Sequence, residues 1–247
     1  RDGNVVCKIT KRMIRKIFIT ILPSLFWIVG IAQNNQDSLW TVYSDIEQFD
    51  TIRIQALYQY IEATYLPNQP DSATYLSEIQ LQLAESSYYI PGQISALNIL
   101  AYANVLKGEI NSAIGFERRS YALSMTINDK EGMLNTSRNL SFHFAEVLLV
   151  DSTLKYGEIG LKLTIEKGDT TEIIYQLNGF SKFFSYIKDV DRGEDLAQKA
   201  LDYSLAFGDK GLIMHQQIQL FKVHRNNKEY KIGQPYLEQA LENARSM

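Results

Sequence analysis

The side chains with the widest chemical range in this sequence are three histidines, His143, His215 and His224. His143 lies in a Ser-Phe-His-Phe run, without the acidic neighbour that usually accompanies a phospho-accepting histidine. His215 and His224 are nine residues apart. On a helix this is about 900° of rotation, so the two side chains point in opposite directions and cannot chelate one ion. We therefore interpret all three as surface or interhelix histidines.

The segment 189–195 superficially resembles a calcium-binding loop. Its glycine, Gly193, comes one position too early, and the closing glutamate of such a loop is missing. The sequence also lacks the glycine-rich phosphate loop, the H-E-x-x-H zinc motif and the G-x-S-x-G motif of a nucleophile elbow. We expect no cofactor, no metal ion and no catalytic activity.

The charges of the chain are unevenly distributed. Residues 1–32 contain six basic residues and one acidic residue, whereas the remainder contains 19 basic and 27 acidic residues. An acidic body argues against binding to a nucleic-acid backbone, which requires clustered cations. We therefore expect no nucleic-acid partner for this region.

The basic N-terminal stretch has the pattern of an export signal. Met13, the first methionine, is followed by Arg15 and Lys16 and then by an apolar run over residues 17–31. The run ends in Gly-Ile-Ala, with small residues at the positions that a signal peptidase reads. It is shorter than the roughly 20 apolar residues of a membrane span. Residues 13–32 therefore predict a cleaved signal, with an uncleaved anchor as the alternative.

Residues 1–12 precede this methionine and are interpreted as read-through or as the edge of a fragment. They contain Cys7, the only cysteine. A mature chain without it would have no disulfide, thiol nucleophile or cysteine metal site. No cysteine follows the apolar run, so a lipid anchor is not supported.

The remainder of the chain repeats with a period of forty residues. Asp129, Asp169 and Asp209 are forty apart, and each follows an asparagine or a glycine, which predicts a helix end and then a new helix cap. A second column of cap-type residues falls at the middle of each unit. It consists of Asp71, Asn111, Asp151 and Asp191. The pattern predicts two helices in every unit.

Packing positions repeat in the same register. Two columns are small: Ala73, Ala113, Thr153, Gly193 and Gly233, and Ser120, Gly160, Ala200 and Ala240. Two others are large: Tyr60, Leu100, Leu140, Phe180 and Leu220, and Leu81, Tyr121, Leu161, Leu201 and Leu241. Small residues let helices approach closely, and large ones fill the space between them. We interpret most aromatic residues as core residues; stacking of bases or sugars is the alternative.

In this pattern the chain resembles the tetratricopeptide repeat (TPR) family. The second forty-residue unit matches the family motif best, with Leu97, Leu100, Ala101, Gly108, Ala113 and Ser120 at the motif positions. The usual unit has 34 residues, so this is a long variant. Such long variants resemble the extracytoplasmic sensory repeats of bacterial signalling proteins. The resemblance implies an all-α fold, a right-handed α-α superhelix of about five helix pairs.

We predict units at 49–88, 89–128, 129–168, 169–208 and 209–247, after a linker and capping helix in 33–48. The helix pairs are predicted near 50–66 with 71–86, 91–107 with 110–126, 130–147 with 151–166, 170–187 with 190–206, and 210–226 with 229–245. The capping helix is predicted around 38–48.

In the TPR family the first helix of each pair lines a concave face that binds peptides. By register, this resemblance implies one row of lining residues at Tyr58, Asn98, Arg138, Asn178 and Ile218. The next row consists of Glu62, Tyr102, Phe142, Lys182 and Lys222. Asparagine amides can bond a peptide backbone, and Arg or Lys can hold a carboxylate. The hypothesis is a groove for an acid-ended peptide; the alternative is an ordinary polar helix face.

The sequence-based functional hypothesis is an exported, non-catalytic module that binds a protein or peptide segment. We favour the sensory N-terminal part of a bacterial signal-transduction protein, either periplasmic or membrane-associated and facing the periplasm. Membrane contact is expected only through an uncleaved N-terminal segment or a span beyond Met247. The alternatives are a stand-alone periplasmic scaffold or adaptor and a glycan-binding outer-membrane component. Discriminating them requires the coding sequence downstream of Met247.

Overall fold

The computed structural model describes residues 36–66 and 68–246, and within these ranges all regular structure is helical. A helical stretch over residues 36–44 (α1) precedes ten helices that follow one another at short intervals. These are α2 (Asp50–Thr64), α3 (Pro70–Ser86), α4 (Ile90–Leu106), α5 (Ile110–Thr126), α6 (Lys130–Glu146), α7 (Val150–Lys167), α8 (Thr170–Tyr186), α9 (Val190–Phe207), α10 (Lys210–Asn226) and α11 (Tyr230–Arg245). The predicted all-α fold of consecutive helix pairs is confirmed.

Several predictions fall on residues that the structure does not describe. The interpretation of 1–12 and the export signal over 13–32 lie outside the described residues. The capping helix predicted around 38–48 corresponds to α1, which ends at residue 44. Trp40 in this helix lies 5.1 Å from the Tyr60 ring of α2, measured between ring centroids. Among the described helices, none is long and apolar enough to cross a bilayer.

The chain divides into two compact units, Arg1–Phe116 and Glu117–Met247. In the first unit, α2 packs against α3 and α4, around a core that includes Leu57, Ile61, Ala73 and Ile99. In the second unit, α6 pairs with α7, α8 with α9, and α10 with α11. Its apolar clusters lie where neighbouring helices meet. In one of them, Leu220 of α10 packs with Ala197 and Leu201 of α9.

The two small-residue columns are buried throughout. Ala73, Ala113 and Ala200 are fully inaccessible to solvent, and Gly160, Gly193 and Gly233 are buried as well. In two of the forty-residue repeats, a serine hydroxyl of the first helix also donates a hydrogen bond to the second helix. Ser141 Oγ donates to the Thr153 carbonyl and Ser181 Oγ to the Gly193 carbonyl, both at 2.8 Å. The columns are therefore positions of close helix approach, as the sequence predicts.

The aspartates at forty-residue spacing cap helices, as predicted. The Asp129, Asp169 and Asp209 side chains accept hydrogen bonds from the backbone N–H three residues on, at 2.8–3.0 Å. Asp189 caps α9 in the same manner, through the Arg192 N–H. The acidic segment 189–195 thus begins with a helix cap, and Arg192 forms an ion pair with that aspartate.

The second cap column is wrong by two positions. The helices start at Pro70, Ile110, Val150 and Val190, one residue before Asp71, Asn111, Asp151 and Asp191. These four side chains therefore lie inside the first turn instead of at the cap. A carboxylate in the first turn is stabilised by the helix dipole, which favours the same residue types as a cap does. The sequence signal was real, but it marked the second residue of the helix instead of the cap.

The turns between helices repeat every twenty residues, at half the period found in the sequence. A residue with φ between 54° and 81° occurs in each of the eight turns from α3 to α11. These residues are Tyr88, Gly108, Asn128, Leu148, Gly168, Lys188, Gly208 and Lys228. In most turns the next N–H bonds the carbonyl five residues back, as Asp189 does to Phe184 at 2.9 Å. This left-handed end satisfies the last carbonyls of the helix and reverses the chain.

Candidate binding groove

In the second unit, the first helices α6 and α8 line a cavity of about 260 Å³ with α7 at its base. The cavity wall is mainly apolar. Phe142 of α6 and Tyr175 of α8 border it and are 61% and 56% exposed. Phe180 and Phe183 of α8 line its interior. An apolar cavity flanked by exposed aromatic rings suits a protruding apolar side chain.

The floor of this cavity depends on a glycine. A Cβ atom on Gly157 of α7 would overlap the ring of Phe180, so the ring lies directly on the α7 backbone. In the next pair, the smaller Leu220 packs in the same cluster as Ala197, which occupies the position equivalent to Gly157. The large ring of Phe180 and the absence of a side chain at Gly157 therefore compensate each other.

The rim of the cavity is polar. Arg138 Nη1 of α6 lies 3.0 Å from Glu172 Oε1 of α8. Gln176 also donates to that carboxylate at 3.3 Å and to Thr164 Oγ1 at 2.6 Å. Arg138, which the sequence assigned to a ligand carboxylate, is thus engaged by Glu172. A peptide carboxylate would have to displace this partner.

The predicted residues of α8 and α10 form a second, basic group. Asn178 is only 2% exposed, and its Nδ2 lies 3.2 Å from Nδ1 of His215. Burial and the nearby charges of Lys182 and Lys222 lower the pKa of His215. Neither lysine forms an ion pair within residues 36–66 and 68–246. Two uncompensated positive charges therefore face an exposed histidine that stays neutral near pH 7.

In the first unit, the predicted residues Tyr58, Glu62, Asn98 and Tyr102 line one open cavity of about 430 Å³ between α2 and α4. The Tyr58 hydroxyl donates to Glu62 Oε1 at 3.3 Å. Burial first, and then the charge and hydrogen bond of Glu62, raise the pKa of Tyr58. The structure thus brings the four predicted residues of the first unit to one cavity, whereas those of the second unit fall into two groups, at the apolar cavity and near His215.

Sequence reasoning missed a buried polar cluster on α5 and α6. His143 Nδ1 lies 3.1 Å from Glu146 Oε2, and its Nε2 lies 3.6 Å from Glu117 Oε1. The sequence could have revealed Glu146, because it follows His143 by three positions and so lies about one helical turn away on the same helix. Glu117 lies on another helix, so no local spacing could have revealed it. Because the carboxylates approach opposite ring nitrogens, they do not converge on one point, and no metal-holding group occurs in the described part of the chain.

The other histidines have the environments expected of surface and interhelix residues. His215 is exposed on α10. His224, on the same helix, is 1% exposed and stacks on the Tyr236 ring of α11 at 6.0 Å between centroids. Its Nδ1 lies 3.0 Å from Glu229 Oε2. The opposite orientations predicted from their spacing are therefore reflected in their different burial.

Solved structures share this arrangement of helices. BtubC (BKLC) from P. vanneervenii superposes with a TM-score of 0.71 at 14% identity, over 89% of this chain and 90% of that one. A putative kinesin light chain from Podosopora anserina with nearly identical TPR-like repeats gives a TM-score of 0.68 at 13% identity, over 80% of this chain and 97% of that one. The fold is a TPR-like helical repeat.

The TPR-like fold extends to longer proteins. Aspartyl phosphate phosphatase F from Bacillus subtilis gives a TM-score of 0.56 at 14% identity, and the match covers 89% of this chain but 57% of that one. No family model and no curated protein sequence matches the chain. The resemblance drawn from the repeat columns is therefore confirmed by structure at a level of identity where sequence comparison alone finds no relative.

Proposed function

We propose that this chain is a non-catalytic interaction module that binds a peptide or protein segment on the first helices of its pairs. The observation that carries this proposal is the apolar cavity between α6 and α8, bordered by the exposed rings of Phe142 and Tyr175. Exposed aromatic residues around an apolar pocket are typical anchors of binding energy at protein interfaces. The partner would insert one apolar or aromatic side chain into this cavity.

The basic group on α8 and α10 adds a second requirement. Lys182 and Lys222 lack acidic partners in the described ranges, and a carboxylate of the partner would supply one. Arg138 does not take this role in the present structure because Glu172 already holds it. The preferred segment therefore combines an apolar anchor with an acidic group or a free C-terminus.

The biological setting that we propose is the exported sensory part of a bacterial signal-transduction protein. Two features of the sequence support it: the basic and apolar start of the chain, and the long forty-residue unit. The setting affects where the partner is found, but not the chemistry of the cavity. An assay on the isolated chain therefore tests the binding proposal without depending on localisation.

A displayed library of random peptides provides the test. We expect the selected peptides to carry an apolar or aromatic residue, and we expect Phe142→Ala and Tyr175→Ala each to weaken their binding at least about tenfold in calorimetry. Tyr186→Ala is the matched control, because Tyr186 is an exposed α8 aromatic that does not line the cavity. Selected peptides whose affinity is unchanged by both cavity substitutions would remove the groove assignment.

A further inference from the structure

The described part of the first unit, within residues 36–116, is far more acidic than the second unit. Residues 36–116 contain nine acidic and two basic residues, whereas residues 117–246 contain 18 acidic and 17 basic residues. Both basic residues of the segment 36–116 are already in ion pairs. Arg53 lies 2.9 Å from Asp50, and Lys107 lies 3.8 Å from Asp71. Residues 36–116 therefore carry a formal net charge of −7, from nine acidic and two basic residues.

One of these carboxylates lies in a cavity with aromatic residues. Glu62 of α2 borders the open cavity of about 430 Å³, together with Tyr58 of the same helix and Tyr102 of α4. Glu62 is exposed, and its only described partner is the Tyr58 hydroxyl. Tyr102 is 47% exposed, so an entering group can reach the ring. Leu66 and Ile99 supply apolar wall below these groups.

This combination favours a cation. An ammonium or guanidinium group can bond a carboxylate and also be attracted to the face of a phenol ring, and the stem of a lysine or arginine side chain suits an apolar wall. A ligand carboxylate would instead be repelled by Glu62 and by the net negative charge of residues 36–116. A neutral apolar side chain would gain from the tyrosine rings and from Leu66 and Ile99, but it would leave the Glu62 charge without a partner of opposite charge.

We propose that the cavity between α2 and α4 binds a lysine or arginine side chain of a basic peptide segment, with Glu62 as the ion-pair partner and Tyr58 and Tyr102 as aromatic walls. The inference deepens the proposed peptide-binding function and rests on it. It also gives the two units opposite preferences: the first selects positive charge, and the second offers unpaired lysines to negative charge. A partner would then need basic and acidic parts.

Four short peptides with blocked ends, identical except at two central positions, test the proposal. The two positions carry lysine, glutamine, norleucine or glutamate, in a glycine and serine background. Binding is measured by titration with amide chemical shifts of the full chain. We expect the lysine peptide to bind at least about tenfold more tightly than the other three, to shift amides of α2 and α4, and to weaken as salt is raised. Equal binding of the norleucine peptide would overturn the proposal in favour of an apolar site.

Two charge-matched variants separate the cavity from general attraction. Glu62→Gln and Glu78→Gln each remove one exposed carboxylate from the first unit, but Glu78 lies on α3 and does not line the cavity. We expect a loss of about fivefold or more in lysine-peptide affinity for Glu62→Gln and a small change for Glu78→Gln. Tyr102→Leu should lose about threefold, the size of an exposed cation–π contact. Equal losses for the two glutamate variants would also overturn the proposal.

The proposed function and this inference fail in different ways. If library peptides still depend on Phe142 and Tyr175 while the lysine peptide binds no better than norleucine, only the cation site is lost. If the cavity of the second unit binds no peptide but the lysine probe depends on Glu62, the anchor assignment is lost and the cation site stands.

Discussion

His143 Nε2 lies 3.6 Å from Glu117 Oε1, and both side chains are nearly inaccessible, at 6% and 3% exposure. Burial alone lowers the pKa of His143, but hydrogen bonds and charges of Glu117 and Glu146 together outweigh it and raise the pKa. The second oxygen of Glu117 is buried without a hydrogen-bond partner. This carboxylate therefore depends on the protonated histidine for compensation of its charge.

The stability of the folded chain should depend on pH through this pair. Because the folded pKa of His143 lies above the value near 6.5 of an unfolded chain, its contribution is fully present below that value and is lost as pH rises through the folded pKa. Glu117→Gln should lower the pKa of His143 and remove this loss. Urea unfolding from pH 5.5 to 8.5 checks it, with the exposed Glu158→Gln as control. Parallel stability profiles for wild type and Glu117→Gln would contradict the coupling.

The contact between Gly157 and Phe180 predicts strong coupling between two substitutions. Gly157→Ala should destabilise the chain by about 1–3 kcal/mol, since its methyl group needs space that the ring occupies. Phe180→Leu should cost about 1 kcal/mol by leaving space unfilled. The double variant recreates the Ala197 and Leu220 combination of the next pair, so it should be more stable than the sum of the two changes predicts. A double-mutant cycle in urea measures this, and additive effects would show that the ring moves freely away from α7.

The left-handed turns predict opposite effects for the same chemical change. Gly208 has φ of 81° and open space where a Cβ would lie, so Gly208→Ala should destabilise by about 1 kcal/mol through backbone strain alone. Gly115 also has open space, but it lies inside α5, so Gly115→Ala should stabilise by up to about 1 kcal/mol. Thermal unfolding of the two variants gives the comparison. Shifts of the same sign would show that local backbone conformation does not govern these positions.

The lysines beside His215 predict a measurable change in its titration. Burial and the charges of Lys182 and Lys222 lower its pKa, so its contribution to stability is present above the unfolded pKa and is lost as pH falls from there through the folded pKa. Lys182→Gln or Lys222→Gln should raise the pKa of His215 in a proton titration. Lys231→Gln, an exposed change on α11, should leave it unaltered. A pKa that does not respond to either neighbouring lysine would separate His215 from the basic group.

Most of the helix framework was readable from the sequence because it depends on short-range patterns. The cap aspartates Asp129, Asp169 and Asp209, the glycines before two of them and the buried small columns all follow from local turn chemistry and helical spacing. Local patterns also have a limited resolution. Asp151 was placed at a cap although it lies in the first turn, since both positions favour a carboxylate.

Side-chain partners were not readable in the same way, because they are set by which helices meet. Arg138 was expected to be available for a ligand, but Glu172 on the neighbouring pair holds it. Lys182 and Lys222 have the same predicted role and keep their charges uncompensated. The spacing within one helix does not distinguish these cases, since the Arg138–Glu172 ion pair joins two different helices.

The sequence by itself determined the repeat, the helix pairs and the positions that face inward, because spacing along a helix dictates which residues share a face. Only the tertiary structure decided the burial of Glu117 beside His143, the contact of Phe180 with Gly157 and the position of Glu62 in one cavity with two tyrosines. These features arise where separate helices approach each other to within a few ångströms. Where the charged groups are also buried, their electrostatic interactions become stronger than in water.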